Sequence, residues 1–555
     1  MNVDVRLSDL KRLIGQDLSL EMLEDRLFLL KCEIDQVIND IVTIEVNPDR
    51  VDMLSTEGIA RALRGFLSIE VGAPNYPVKR SKWRAIVDSS VAAIRPYLAC
   101  GIIRDITLDD DLITELMQLQ ERLTGTFGRN RKRASIGLYV LDLINPPIHY
   151  TTAPPNEIRF PPLEFEQVMT AKQIIRDHPK GQEFGPIIQH YPRYPVLIDA
   201  KNQVLSLPPV INSNDLGRVF ETTKDLFVEV TGTHKLTTLQ SLNIMIAALA
   251  DRGGQLEDVE VVYTDHRERL PDFSLQEKQV SLDYIRQMIG YDFDDTTVTE
   301  ALSRMRINSS VQANIVDVGI PAYRVDILHD VDIVEDIAIG YGYDRIEPTL
   351  PKTMTVGHEL PLSRLRRTIR DLMVGLGYQE IRNYVLTNTR VLFEQMNLPA
   401  KGAVEIENPK SMEYHLVRNS LLPGILDFLS ENTAQELPHR VFEVGDVVVL
   451  DKKAETCTQT IPYLSAATVN SRVDITALKA ELMTFLGNLG LNGTVKSTTH
   501  GSFIDGRVAG VHVERKRIGY LGEIHPMVLQ NFGIEAPCVV FELKILEDWL
   551  TQTSE

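Results

Sequence analysis

Residues 324–344, RVDILHDVDIVEDIAIGYGYD, place six acids among twenty-one residues of a chain whose formal net charge is already −19. Such a run calls for a cation. At about 100° per residue, Asp332, Glu335 and Asp336 fall on one stripe of a helix, opposite a packing face of Val331, Val334, Ile337, Ala338 and Tyr341. Asp326 enters just ahead of that helix, so four oxygen donors could surround one ion. Hard oxygens without His or Cys suit Mg²⁺ or Ca²⁺. The same residues also read as a solvated helix face whose acids complement the positive N-terminal dipole. Repulsion between acids three and four apart costs only about a few tenths of a kcal/mol per pair on a bare helix. Both readings stand on these residues.

A second set of polar residues lies upstream, in LSLPPVINSNDLG followed by LFVEVTGTH. Two prolines stiffen a turn and cannot continue a ladder, which leaves Asn212 and Ser213 on a fixed loop. Glu229, Thr231 and Thr233 alternate along a strand and share one face. Together they could line a polar pocket, or be turn chemistry beside a half-exposed strand. A basic cluster, Arg129, Arg131, Lys132 and Arg133, could touch phosphate or be a solvated run.

The acidic run sits in an element used twice. Arg50-Val51-Asp52-Met53-Leu54 precedes the helical pattern TEGIARAL, and Arg324-Val325-Asp326-Ile327-Leu328 precedes VEDIAIGYG. Leu13-Ile14-Gly15 ends 35 residues before Arg50, and Met288-Ile289-Gly290 ends 34 before Arg324. Each unit reads as helix, acidic turn, helix, strand, then Arg-Val-Asp entering another helix. The first copy has Ser55 and Glu57 where the second gathers its acids.

With 555 residues, 43% apolar and 24% charged, the chain is expected to form several domains. No apolar run is long enough to span a membrane, and MNVDVRLSDLKRLIG lacks a basic-then-apolar leader, so a soluble cytoplasmic protein is expected. Cys32, Cys100, Cys457 and Cys538 are widely spaced and suggest neither zinc nor a disulfide framework. A pI near 5.2 argues against a surface that clings to nucleic acid as a whole. Between about 85 and 275, short β runs alternate with helices such as HKLTTLQSLNIMIAALADRG. From about 355, LSRLRRTIRDLMVGLGYQEI, HRVFEVGDVV and CVVFELKILEDWL suggest an antiparallel sheet with packed helices.

The order of these motifs, more than any one of them, resembles the beta subunit of phenylalanyl-tRNA synthetase in its archaeal and eukaryotic cytosolic form, over essentially the whole chain. The resemblance implies a multidomain α/β and α+β fold in four parts. Residues 1–84 would be a B1-like module, 85–274 a B3/B4-like editing and tRNA domain, 275–350 a B5-like module, and 351–555 a B6/B7-like domain serving subunit assembly. In the family the B5 acids bind Mg²⁺, which would make Asp326, Asp332, Glu335 and Asp336 metal ligands. Glu229 matches the acid that reads the phenol of tyrosine in the editing pocket; Asn212, Ser213 and Thr231 would help to line it. No histidine falls in a motif that would name a general base.

The last domain resembles a class II synthetase core, with Arg440 to Glu443 similar to the motif whose Arg grips the ATP α-phosphate. The late glycine-rich segment with its Arg is not found; Gly522-Glu523-Ile524-His525-Pro526 stands there instead. The resemblance therefore implies no synthetic catalytic residue in this chain. Binding of ATP and phenylalanine would fall mainly to an alpha subunit within an α₂β₂ complex that charges tRNA(Phe), while this chain hydrolyses mischarged Tyr-tRNA(Phe). The rival readings are a non-catalytic scaffold for tRNA and partner, and a stand-alone metal hydrolase using the four acids. The hydrolase lacks an adjacent nucleophile, base or phosphate loop.

Overall fold

The computed structural model describes residues 1–350, 355–546 and 549. Internal contacts divide it into two units, Met1–Leu350 and Pro351–Glu555.

Leu13-Ile14-Gly15 and Met288-Ile289-Gly290 end their helices in the same way. Helices Leu7–Ile14 and Leu282–Ile289 stop where Gly15 and Gly290 take φ of 80° and 76° and return their N–H groups to the Lys11 and Arg286 carbonyls. Glycine holds this left-handed geometry without steric cost. Ten-residue helices follow in both cases, Leu20–Leu29 and Asp295–Arg304, capped by Ser19 and Asp294 side chains that accept from the N–H three residues on. Both modules then carry a three-stranded antiparallel sheet of one topology. Ile41–Val46 lies between Asn2–Arg6 and Cys32–Ile38, and Ile315–Ile320 lies between Gln276–Ser281 and Asn308–Gln312.

The Arg-Val-Asp motif has one structural job in both copies. Arg50 grips Asp52 through Nε and Nη2, both at 2.9 Å, and Arg324 grips Asp326 at 2.9 and 2.6 Å. The copies pack against each other. Gly65, in helix Thr56–Phe66, lies so close to the second module that a Cβ would stand 2.4 Å from the Arg304 carbonyl oxygen. Arg304 in turn donates to the Phe66 carbonyl at 2.7 Å.

Between the modules lies an eleven-stranded mixed sheet. Leu226–Gly232, buried along its whole length, runs antiparallel to Tyr97–Arg104 on one side and Ala134–Val140 on the other. Helix Lys235–Asp251 buries Leu242, Met245, Ile246 and Leu249 beneath these strands. The far arm of the sheet ends in Val204–Leu207 and the short Ile211–Asn212, a hairpin that brings Asn212 back toward Leu226–Gly232.

The acidic helix spans Asp330–Tyr341 and departs from the expected division of faces. Val331, expected in the packing face, is 42% exposed, whereas Asp336, expected on the acidic stripe, is 4% exposed. The buried side is Ile333, Val334, Ile337 and Ile339, with Asp336 carried inward among them. Helical spacing alone could not show this, because Arg324 waits on the inner side to receive that carboxylate.

The second unit is built on a seven-stranded sheet in the order Gln379–Glu380, His439–Leu450, Thr458–Val469, Cys538–Lys544, Lys516–Ile524, Phe503–Val513, Gly493–Ser497. Neighbours are antiparallel except the first pair. Alternate residues of one strand serve opposite faces. Phe442 and Val444 pack with Leu365, Ile369, Leu482 and Phe485 of helices Pro361–Gly375 and Ile475–Asn488. Val441 packs with Leu422, Ile425 and Val528 of helices Leu422–Glu431 and Pro526–Phe532. Among the described residues, no helix is long and apolar enough to cross a membrane.

Candidate functional site

Glu229 stands in the middle of Leu226–Gly232 with 2% of its surface exposed. Its cross-strand neighbours are Cys100 and Gly137. Neither supplies a charge, and among the described residues the hydrogen-bond partner of the carboxylate is the Tyr139 hydroxyl. The Tyr139 hydroxyl, 3.2 Å away, can donate to Oε1 of Glu229 or to Oδ1 of Asn212, while Oε2 of Glu229 has no partner among the described residues. Burial pushes the Glu229 carboxyl up to about 7, opposed by the Tyr139 hydrogen bond and the field of Arg95.

Glu229 and Asn212 line one cavity of about 590 Å³. Its other walls are largely apolar, among them Leu116, Ile136, Leu138, Val210 and Ile211. Ser206 also lines it, with a buried hydroxyl facing that of Tyr139. Such a pocket holds an apolar body and offers an unpaired acceptor to a hydroxyl at its end, since a buried polar atom left unpaired is costly.

Thr231 and Ser213 have other partners. Thr231 is fully buried, and its hydroxyl accepts from Arg95 Nε at 2.9 Å and contacts Ser135 Oγ at 3.0 Å. It helps to fix Arg95, whose guanidinium burial pulls down to about 10. Ser213 is 1% exposed and caps the short helix Asn214–Gly217 by accepting from the Asp215 N–H. The geometry thus brings Glu229 and Asn212 together in the cavity and makes Thr231 and Ser213 part of its frame. Thr233 lies beyond the end of the strand and donates to the Lys132 carbonyl.

Sequence reasoning missed Tyr139, Ser206 and His178, and did not place Arg131 at the cavity. Arg131, read as one of a basic run, is buried against the ring of Phe184 at 4.0 Å and pairs with Glu121 at 2.7 Å. His178 lines the cavity, but its ring is occupied: Nδ1 accepts from the Lys180 N–H, and Nε2 lies 3.3 Å from the Leu163 carbonyl. Tyr139 could have been found: in ASIGLYV it alternates with Gly137 exactly as Glu229 alternates with Thr231.

The four acids of the second module do not share one ion site in this arrangement. Asp326 and Asp336 both bind Arg324, Asp336 at 2.7 Å. Asp332 accepts from the Leu328 and His329 N–H groups at 2.7 and 2.6 Å and so caps its own helix. Glu335 pairs with Lys31 of the first module at 3.1 Å. Among the described residues, no group of three His, Cys, Asp or Glu side chains is placed to hold a metal. Burial alone would raise Asp326, but the two-point grip of Arg324 holds it below the usual carboxylate range; Asp336, with a single contact, stays raised by burial. One guanidinium thus serves two buried carboxylates.

In the second unit, Arg440 stacks over Tyr378 at 4.3 Å and pairs with Glu481 at 3.0 Å. Glu443 is buried on Arg418 at 2.7 Å and accepts from Asn383 at 2.8 Å. Both residues of the HRVFEVG segment therefore hold internal contacts.

A duplicated small module, an inserted sheet domain with an acid-floored cavity and a separate antiparallel-sheet unit together define a multidomain synthetase subunit. The family models bear on both ends of that description. The tRNA synthetase B5 domain matches residues 278–343, and the phenylalanyl tRNA synthetase beta chain CLM domain matches residues 346–545. The phenylalanine–tRNA ligase beta subunit of Pyrococcus abyssi is 41% identical over 545 residues, 97% of this chain and 98% of that protein. That of Archaeoglobus fulgidus is 38% identical, covering 97% and 96%. A crystal structure of an N-terminal fragment of the phenylalanyl-tRNA synthetase beta subunit from Pyrococcus horikoshii superposes with a TM-score of 0.60 at 40% identity, covering 61% of this chain and 99% of that one. The chain belongs to the phenylalanine–tRNA ligase beta subunits.

Proposed function

We propose that this chain works with an alpha subunit, as half of an α₂β₂ complex, in the ATP-dependent attachment of phenylalanine to tRNA(Phe), and that its own chemistry is the removal of tyrosine wrongly attached to that tRNA. Phenylalanine activation, with ATP and Mg²⁺, belongs to the alpha subunit in this reading. Supporting it, Arg440 and Glu443 are engaged by Glu481, Tyr378 and Arg418 rather than open to a phosphate. A resident Mg²⁺ on Asp326, Asp332, Glu335 and Asp336 would have to displace Arg324, Lys31 and two backbone N–H groups.

The observation that carries the editing proposal is the unpartnered Oε2 of Glu229 in an apolar-walled cavity. Tyrosine differs from phenylalanine by one hydroxyl. A hydrophobic slot rejects such an analogue poorly, whereas a buried acceptor selects positively for it. Ionised Glu229 would accept from the phenol while Asn212 and Ser206 complete the polar end. Hydrolysis then falls to a positioned water and the terminal hydroxyl of the tRNA, since the only histidine on the cavity wall is held by Lys180 and Leu163.

In the complex, Glu229→Ala should slow Tyr-tRNA(Phe) hydrolysis roughly tenfold to a hundredfold, the kinetic equivalent of about 1–3 kcal/mol for one lost buried hydrogen bond. Phenylalanine charging should persist. Undiminished clearance of Tyr-tRNA(Phe) by the variant would remove Glu229 from substrate recognition. A wild-type complex without this hydrolysis would leave the scaffold reading.

A further inference from the structure

A second cavity, of about 680 Å³, lies between helix Thr56–Phe66 of the first module, the end of helix Lys235–Asp251 and strand Gln255–Val262. Its wall is unlike the rest of this acidic chain. Arg12, Arg61, Arg64, Lys79 and Arg306 face it, against Glu57, Glu70 and Asp251.

The pairing leaves positive charge over. Glu57 is taken by Arg252, which does not line the cavity. Glu70 alone serves two guanidiniums, Arg64 at 2.7 Å and Arg306 at 3.1 Å. Asp251 serves Arg61 at 2.8 Å and also accepts from the Tyr76 hydroxyl. Arg12 pairs with Asp9 at 2.6 Å, and among the described residues Lys79 has only the amide oxygen of Gln255, at 2.6 Å. Three of these residues, Arg61, Arg64 and Arg306, each keep a buried guanidinium nitrogen with no acceptor among the described residues. Arg61 and Arg306 are 5% and 4% exposed, so water does little to satisfy them. Two guanidiniums sharing one carboxylate, with Lys79 on a neutral amide, leave positive charge along the cavity wall that an anion would neutralise.

We propose that this cavity binds a small phosphate-bearing anion, independently of the pocket around Glu229. Arginine suits such a ligand because its planar fork matches phosphate oxygens. The volume is that of small-ligand pockets. The enclosed guanidiniums favour a free small anion over a passing RNA backbone.

The test is titration of the full-length chain with inorganic pyrophosphate, and separately with AMP, by calorimetry at about 150 mM salt, where loose surface attraction is screened. Saturable one-to-one binding of either is expected; pyrophosphate alone would identify a free polyphosphate, and AMP a nucleotide. Arg64→Gln combined with Lys79→Gln, both at the more open side, should weaken it at least about tenfold, the order of one charge-assisted contact. Glu70→Gln should tighten it, because it removes the carboxylate that competes for Arg64 and Arg306. Shifts in opposite directions cannot arise from misfolding, and melting curves check the fold. Failure of both probes to bind, or binding indifferent to all three substitutions, would overturn the proposal. So would binding of tRNA alone that is lost in the double variant, which would make the cavity an RNA contact.

Discussion

Gly137 stands directly across the ladder from Glu229, and a Cβ placed on it would lie 2.8 Å from Oε1 of the carboxylate and 2.4 Å from the Tyr139 hydroxyl. The two polar groups sit where a side chain on this residue would stand. Gly137→Ala should push both polar groups aside while leaving strand Ala134–Val140 in its sheet. We expect Tyr-tRNA(Phe) hydrolysis to fall at least about tenfold, as for loss of one buried hydrogen bond, with phenylalanine charging unchanged. Single-turnover deacylation beside a charging assay measures both.

Glu229 gives a pH signature. Its carboxyl is raised to about 7 in the fold from an ordinary value of 4.5. Between those values the folded chain holds a proton that the unfolded chain has released, so stability falls as pH rises through the window. The full effect at alkaline pH is on the order of 3 kcal/mol. Glu229→Gln should therefore melt higher than the parent at pH 8, and the difference should close by pH 5. Thermal melts at the two pH values decide it; a difference unchanged with pH would show that the acid is already ionised.

The same titration bears on selectivity. If the ionised form accepts from the phenol, preference for Tyr-tRNA(Phe) over Phe-tRNA(Phe) in deacylation should rise through pH 7. In Glu229→Gln it should be flat. The ratio of the two rates across pH 6 to 8 is the measurement, and a flat parent profile would count against the carboxylate as acceptor.

Arg324 joins Asp326 and Asp336 below the acidic helix. Arg324→Met would take from Asp326 and Asp336 the guanidinium that hydrogen-bonds both and leave them only the field of Arg50, a loss of up to about 3–5 kcal/mol. Replacing Asp336 by Asn in the same chain should restore part of it, since Asp326 is then the one carboxylate left, within the field of Arg50. Denaturant melts of the single and double variants give the comparison.

Because Arg324, Lys31 and backbone groups already occupy the four acids, Mg²⁺ at millimolar concentration should raise the melting temperature of the chain by no more than about 1 °C over EDTA. An ion bound at a hundred times its Kd would add about 2.7 kcal/mol. A rise of several degrees, abolished by Asp332→Asn, would show that the ion can displace those partners.

Much of this architecture was readable in the chain because periodicity and turn residues are local. The glycines that end paired helices, and the Arg-Val-Asp that recurs 274 residues later, mark the duplication directly. Alternation in LFVEVTG put Glu229 and Thr231 on one face, where they are. What spacing could not supply is the identity of partners from distant segments. Thr231 faces Arg95, and Glu335 faces Lys31, 304 residues away. The acids looked like one cluster because their cations lie elsewhere in the sequence. Tyr139, Ser206 and Asn212 meet only through the sheet's fold, so the pocket's polar end was legible in part.

The two modules flank everything between them, and Arg304 reaches a carbonyl 238 residues earlier in the chain. At ribosomal speeds of roughly 5–20 residues per second, the first module must wait many seconds for its twin. During that interval Gly65 and its helix face present bare backbone and apolar surface to the cell. The sheet domain, finished in the meantime, is then clasped at both ends, and the duplication acts as a buckle fastened late in synthesis.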